Sequence, residues 1–163
     1  MGRRPSAVAT LVERTSRFLV LVALPDGLTS DEVRPHIVTA LRAIPTPLRR
    51  SLTWDRGREM VTHEQLSAET GCPVYFCAPR SPWQRGTNEN TNGLLRQYLG
   101  KPVDLSVYSQ SSLDQIAAKL NDRPRKVLDW QSPAEVFNAL RTEQAPSRSW
   151  IAPVKLPAPK VGT

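Results

Sequence analysis

Cysteine, histidine and aromatic residues are scarce in this chain of 163 residues. The two cysteines, Cys72 and Cys77, would lie about 17 Å apart along a strand, which excludes a disulfide between them. There is no Cys-x-x-Cys pair, and neither His36 nor His63 has a partner at metal-ligand spacing. The sequence therefore contains no zinc motif, and both thiols are predicted to be buried and reduced, as in a cytoplasmic protein.

Long hydrophobic runs and acidic residues are scarce as well. The longest apolar run, residues 18–24, is far shorter than the roughly 20 residues of a membrane span, and the basic N-terminus lacks the apolar segment of a secretory signal. The chain has 22 Lys and Arg against 15 Asp and Glu, for a net charge of +7. Most of these cations are arginines, which suit bidentate contacts with phosphate. The balance indicates a polyanionic partner such as nucleic acid, although many basic proteins have none.

The length fits one domain with a substantial core. Short segments rich in apolar and β-branched residues predict four strands, and helical spacing predicts five helices. The predicted strands span residues 7–14, 18–24, 50–54 and 74–77, and the predicted helices span residues 30–44, 62–70, 88–99, 109–121 and 132–141. Residues 1–141 thus form an α/β domain with a mixed sheet. Residues 142–163 are rich in proline and lack an apolar period, which predicts an extended or disordered tail.

Two carboxylates occupy positions that suit metal binding. Asp55 directly follows the predicted strand at residues 50–54, and Glu89 lies in the first turn of a predicted helix, where the helix dipole favours its charged form. Together they can supply oxygen ligands to Mg²⁺ while leaving coordination positions open for water and a phosphodiester. Taken singly, Asp55 could be a turn residue and Glu89 a helix-stabilising acid, so the interpretation requires the two to lie close together.

The helix that begins near Glu89 has two different faces. Leu95 and Leu99 are predicted to lie on its buried side. A glycine in mid-helix costs about 1 kcal/mol relative to alanine, so Gly93 suggests close approach of either a sugar-phosphate backbone or a neighbouring helix. The opposite face carries Glu89, Asn92, Gly93 and Arg96.

Two further segments combine groups that can bind DNA. The loop before this helix offers an aromatic plane, an amide and a guanidinium, which suit stacking and phosphate contact; alternatively, its Trp83 anchors the loop on the domain. The basic turn at residues 123–126 has two interpretations, a phosphate clamp beside the carboxylates or a solvated turn without a binding role. The candidate DNA-binding residues are Trp83, Gln84, Arg85, Asn88, Asn92, Arg96, Arg123, Arg125 and Lys126.

These motifs resemble the IS-thirty family of bacterial insertion-sequence transposases. The resemblance covers roughly residues 6–140 and is carried by LTWDRG at 52–57, SPWQRGTNENTNGLLRQY at 81–98 and NDRPRK at 121–126. It implies a ribonuclease-H-like integrase core that uses an Asp-Asp-Glu triad with Mg²⁺ or Mn²⁺. In that pattern Asp55 matches the second acid and Glu89 the third.

The first acid of the triad has no match in this chain. In the family it lies on the first, central strand, upstream of Met1, so the resemblance implies a core that is truncated at its N-terminus by decay of the gene or a misplaced start. Glu13 and Asp26 precede Asp55 and are candidates to replace the missing acid, but neither suits the strand order 3-2-1-4-5 that the family fold implies. Glu13 ends its strand at the wrong edge of the sheet. Asp26 lies about 14 Å, or three strand spacings, from the strand of Asp55. We also expect an unfilled slot in the sheet, with exposed strand edges.

The leading hypothesis is a transposase catalytic-core fragment for metal-dependent cleavage of DNA and strand transfer. Its partners would be transposon ends and target DNA, with a homo-oligomer in the full-length form and a location in the bacterial cytoplasm, on the nucleoid when bound to DNA. The alternatives are a catalytically dead fragment that binds DNA or a transposase, and a decayed product that does not fold stably.

Overall fold

Strands and helices alternate along the chain, as the apolar pattern predicts. The structure is a computed structural model that describes residues 7–54, 62–76, 93–95, 97–99, 107–142, 149–152 and 156–157. The strands are β1 (Ala7–Glu13), β2 (Leu19–Leu24), β3 (Ser51–Trp54), β4 (Val74–Phe76), β5 (Ser149–Ala152) and β6 (Leu156–Pro157). The helices are α1 (Ser30–Arg42), α2 (His63–Thr70), α3 (Gln110–Asn121) and α4 (Pro133–Thr142), and residues 93–95 and 97–99 are also helical. None of the described helices is both long enough and apolar enough to cross a membrane.

The first two strands form the predicted hairpin. They pair antiparallel from Ala7 with Leu24 to Val12 with Leu19. The carboxylate of Glu13, which is fully buried, accepts hydrogen bonds from the backbone amides of Thr15 at 3.0 Å and Ser16 at 2.6 Å. These bonds satisfy donors that the tight turn would otherwise leave without partners. The turn ends at Arg17, whose φ of 64° lies in the left-handed region.

The strand order β2-β1-β5-β3-β4 places β5 in the middle of the sheet. It pairs antiparallel with β1, where Val12 faces Ile151, and parallel with β3, where Trp54 faces Ala152. β6 pairs with the other end of β1. The expectation of an unfilled slot between the hairpin and β3 is therefore wrong, because part of the proline-rich segment that follows α4 occupies this position. That part of the predicted tail is an extended, hydrogen-bonded strand.

Helices cover both faces of the sheet. The first face, which includes Leu52 and Trp54, packs against α1, α2 and α4. The second face, which includes Val8 and Leu21, packs against α3 and against Leu95 and Leu99 of the helical residues 93–99. This is the three-layer arrangement that a sheet with two apolar faces requires.

Two carboxamides of α3 cover the outer edge of β2. The side chain of Asn121 accepts from the amide of Leu19 at 2.8 Å and donates to its carbonyl at 2.9 Å. At the other end of the helix, Gln110 donates to the carbonyl of Leu21 at 2.7 Å and accepts from the amide of Ala23 at 2.8 Å. These bonds replace those of a neighbouring strand and protect an edge that would otherwise be open to aggregation.

Replacing Asn121 by alanine is expected to destabilise the protein by about 2–4 kcal/mol, since it leaves the buried amide and carbonyl of Leu19 without partners. Chemical denaturation followed by circular dichroism measures the change. Gln110→Ala serves as the matched control because its bond to Ala23 is exposed, and it should cost clearly less. Equal losses for the two variants would contradict the assigned role of Asn121.

Candidate active-site edge of the sheet

One edge of the sheet collects the C-terminal ends of several strands. β3, β4 and β5 are mutually parallel, so Trp54, Phe76 and Ala152 lie at the same edge. β2 also ends there, because both β2 and β5 run antiparallel to β1. Ligands of open α/β sheets bind beyond the carboxyl ends of the strands. This edge is therefore the place at which the chain can carry a catalytic site.

Asp55, the first predicted metal ligand, immediately follows Trp54 in the sequence but lies outside the described residues. Glu89 and the loop residues Trp83, Gln84, Arg85 and Asn88 lie outside them too, as do Asn92 and Arg96. Trp54 itself is buried on the first face of the sheet. The metal-binding role of the two acids consequently stays a prediction.

Of the helix predicted at residues 88–99, the structure describes residues 93–95 and 97–99, which are helical. Leu95 and Leu99 are buried against the second face of the sheet, which confirms the buried side predicted from their spacing. Gly93 is exposed, and a Cβ atom built on it would meet no heavy atom within 4 Å. Tight packing of a neighbouring helix therefore does not account for this glycine among the described elements, and its second explanation, close approach of a sugar-phosphate backbone, stays open.

Asp26 and Glu13, two acids that the sequence offers as substitutes for a missing ligand, do not lie beside β3 at this edge. β1 and β5 separate the strand of Asp26 from β3, as the sequence predicts, and Asp26 pairs with His36 at 3.0 Å. Glu13 lies at the end of β1 that is level with Leu52 of β3, away from the end at Trp54. The residues of β5 carry no carboxylate. Among the described residues, no group of three His, Cys, Asp or Glu side chains could hold a metal ion.

Arg123, Arg125 and Lys126 lie at the other edge of the sheet. They follow the C-terminus of α3, where Asn121 is bonded to Leu19 at the start of β2. α3 runs antiparallel to β2 and carries this turn to the hairpin end of the sheet. Because Asp55 and Glu89 lie outside the described residues, the clamp beside the carboxylates stays a prediction. Contact of these three residues with DNA elsewhere stays a prediction.

Cys72 is fully buried in the first apolar cluster, as the sequence predicts. Burial raises the pKa of its thiol to about 11, although the charge of Arg49 acts in the opposite direction. A thiol that stays protonated at neutral pH is a poor nucleophile and a poor metal ligand. Cys77 lies outside the described residues.

A mixed sheet of this strand order, covered on both faces by helices, is the architecture of an integrase-like core. The family model of the integrase core domain matches residues 1–82. The chain therefore belongs to the integrase core domain family.

Similar proteins include transposases of bacterial insertion sequences. The transposase for insertion sequence element IS1086 of Cupriavidus metallidurans is 59% identical over 132 residues, which cover 81% of this chain and 39% of that protein. Transposase InsI for insertion sequence element IS30A of Escherichia coli is 50% identical over 136 residues, covering 83% of this chain and 35% of that protein. The chain thus spans less than half the length of these relatives, and the resemblance to the IS-thirty family is confirmed.

The fold has a counterpart among solved structures. The catalytic core domain of BIV integrase superposes with a TM-score of 0.60 at 18% identity, covering 83% of this chain and 88% of that chain. This similarity confirms the predicted ribonuclease-H-like integrase fold.

Proposed function

We propose that this chain forms the catalytic core of a DNA transposase, in which Asp55 and Glu89 hold a divalent metal ion for cleavage of DNA and strand transfer. The observation that carries the proposal is the end of β3 at Trp54, at the carboxyl edge of the sheet and beside its central strand. Asp55 follows Trp54 in the sequence, and metal-dependent phosphodiester chemistry requires an acid next to a strand end at this edge.

The described neighbours support the pairing of the two acids. Side chains alternate along a strand, and Trp54 points to the first face of the sheet. An acid one position further along is therefore expected on the second face. Leu95 and Leu99, which belong to the helix predicted to begin near Glu89, pack on that same second face.

Carboxylate oxygens are the ligands that Mg²⁺ and Mn²⁺ prefer. A bound ion of this kind polarises a phosphodiester and lowers the pKa of a coordinated water. The protein would contribute the fixed positions of its acids and the exposed, side-chain-free surface at Gly93, along which a DNA backbone can pass. The net charge of +7 favours this polyanionic partner, namely transposon ends and target DNA. Oligomerisation and a location on the bacterial nucleoid belong to the same proposal.

A second function, binding of DNA or of a transposase without catalysis, is favoured by one observation. The strand next to β3 is Ser149–Ala152, which contributes no carboxylate at the position where an Asp-Asp-Glu site needs its first acid. Two ligands hold a metal ion less firmly than three do. A chain with two acids can therefore retain the DNA surface and lose the chemistry.

Adding a third acid next to Asp55 distinguishes the two functions. Asp55 and Pro153 follow the paired residues Trp54 and Ala152 in the sequence, and strands are spaced about 4.8 Å apart. If the chain is a catalytic core, Pro153→Asp should raise Mg²⁺-dependent nicking of supercoiled DNA by at least tenfold over the unmodified chain, because three carboxylates then converge. EDTA should abolish the gain.

Pro153→Asn is the matched control, since it changes the same residue without adding a charge. Equal nicking by the Asp and Asn variants, in proteins that retain DNA binding and a cooperative thermal transition, would contradict the enzymatic proposal and favour the non-catalytic binder. Absence of DNA binding in every form would exclude the catalytic core and the DNA-binding version of the second function.

A further inference from the structure

A groove runs along the outer edge of β2, where the two helical layers do not close over the sheet. Its volume is about 790 Å³, enough for several side chains. The floor is formed by residues from Phe18 to Ala23. One wall is α1, with Phe137 and Arg141 of α4 beside it, and the other wall is the start of α3. We call this feature the β2 groove.

The middle of the β2 groove is apolar and partly exposed. Phe18, Val20 and Ala40 pack against the first apolar cluster but are only half-buried. Ala23 and Tyr108 are half-buried against the second cluster in the same way. Both apolar clusters of the domain therefore reach the surface in one place. An exposed apolar surface that is bordered by polar residues is typical of a protein interface.

The edge of β2 in this groove is already covered by side chains. Gln110 bonds to the backbone of Leu21 and Ala23, and Asn121 bonds to the backbone of Leu19. A partner that adds a strand to a sheet needs such backbone groups for its own hydrogen bonds. The β2 groove is therefore suited to the side chains of a partner and not to an added strand.

An apolar side chain projects beside the groove. Val107 directly precedes Tyr108 of the α3 wall and is 71% exposed, the highest value among the large apolar residues exposed in the described part of the chain. The hydroxyl of Tyr108 donates to the carbonyl of Leu99 at 3.0 Å, which fixes this rim. The molecule thus carries both a recess and a projection of the kind that can fill it.

One corner of the groove is basic. Phe137 of α4 stacks on Phe18, the residue before β2, at a centroid distance of 4.2 Å, and Arg141 follows one helical turn later. Because α1 follows β2 after a short connection and runs back along it, Ala43 and Pro45 lie at this end of the groove too. Arg141 is exposed and forms no ion pair with any residue that the structure describes.

The diagonally opposite corner is acidic. Gln110, whose side chain bonds to Ala23 near the other end of β2, donates to the carboxylate of Asp114 at 2.8 Å. Asp114 and Val107 therefore lie away from Arg141, on the α3 wall. When a second copy is turned by 180° about an axis through the middle of the groove, the basic corner of each copy meets the acidic corner of the other.

From this placement we infer that the β2 groove is the interface between two copies of this chain. In the two-fold dimer, Val107 of one protomer packs against Ala43 and Pro45 of its partner, and Arg141 of one protomer pairs with Asp114 of its partner. Each contact occurs twice. The inference rests on the proposed oligomerisation and assigns it to a defined surface.

Sedimentation equilibrium of the full chain at about 1–200 µM, without DNA, tests this inference. The mass should approach twice the 18.2 kDa of one chain. Val107→Asp should raise the dissociation constant at least about tenfold, because a charge enters the apolar groove twice in each dimer. Val127→Asp is the matched control, since Val127 is 68% exposed and does not line the groove. This control should leave the dissociation constant within about twofold of the original value.

A charge exchange tests the orientation of the two copies. Arg141→Asp and Asp114→Arg should each weaken the dimer about tenfold by bringing like charges together. The double variant restores the pair and should return the dissociation constant to within about threefold of the original value.

Three results would overturn the inference: an unmodified chain that stays monomeric at about 200 µM, a folded Val107→Asp variant that dimerises as well as the unmodified chain, or a double variant no tighter than the single ones. None of them concerns DNA cleavage, so the proposed catalytic function would stand. A chain that dimerises as expected but does not cleave or bind DNA would overturn the proposed function alone.

Discussion

Replacing Trp150 by alanine is expected to lower the free energy of unfolding by about 3–5 kcal/mol, the usual cost of removing a large aromatic side chain from a core. Trp150 is fully buried on β5, and its indole Nε1 donates to the carbonyl of Leu48 at 2.7 Å. Its ring meets Phe137 edge to face at 5.9 Å, and Phe137 stacks on Phe18 at 4.2 Å. The side chain thus joins the central strand to α4 and to the hairpin.

The change in stability is measured as the shift in the midpoint of urea denaturation, with an unchanged dependence of the unfolding free energy on urea concentration. Trp130→Ala is the matched control, since this tryptophan is 68% exposed, and it should change stability by no more than about 0.5 kcal/mol. If Trp150→Ala does not fold, Trp150→Phe keeps an aromatic ring and should cost about 1–3 kcal/mol through the lost bond to Leu48. Stability equal to that of the parent in both variants would show that β5 does not occupy the centre of the sheet.

Neutralising either proposed metal ligand is expected to reduce DNA cleavage by at least a hundredfold. Asp55→Asn and Glu89→Gln keep the size of the side chain but remove the charged oxygen that a divalent cation needs. Metal ions contribute several kcal/mol to catalysis, and each 1.36 kcal/mol corresponds to about tenfold in rate. The rate of Mg²⁺-dependent nicking, measured in the most active form of the chain, checks this expectation.

Asp31→Asn and Glu64→Gln are matched controls, because these exposed acids lie on α1 and α2. Both should retain full activity. DNA affinity should also persist in Asp55→Asn and Glu89→Gln, which separates a loss of chemistry from a loss of binding. Cleavage at an unchanged rate after either substitution would show that the substituted residue is not a metal ligand.

Local patterns in the sequence were sufficient to predict the hairpin and the helices. Two short apolar segments rich in β-branched residues, separated by a polar turn, specify the paired strands of residues 7–24. The cap at Ser109 and the apolar spacing of Leu113, Ala117 and Leu120 specify α3. These features depend on neighbours within a few residues, so short windows of sequence contain the information. The predicted end of α1 was two residues too long, because the helix ends at Arg42 rather than at Ile44.

The central strand could not be predicted in the same way. Ser149–Ala152 is four residues long and lies among prolines, and its pairing partners are about a hundred or more positions away. The apolar pair Trp150 and Ile151 within a polar segment was the available signal, but pairing of distant strands is a property of the tertiary structure. The same reason applies to the bonds between Asn121 and Leu19, since only the packing of α3 on β2 brings these two residues together.

The position of β5 also determines when this protein can fold during its synthesis. Val12 pairs with Ile151, which is 151 − 12 = 139 residues further along the chain. At about 5–20 residues per second, a ribosome needs roughly 7–28 s to produce the second of these residues after the first. Throughout that interval the edge of β1 that pairs with β5 in the native sheet remains unpaired. The nascent chain should therefore depend on a chaperone for a high yield of native protein.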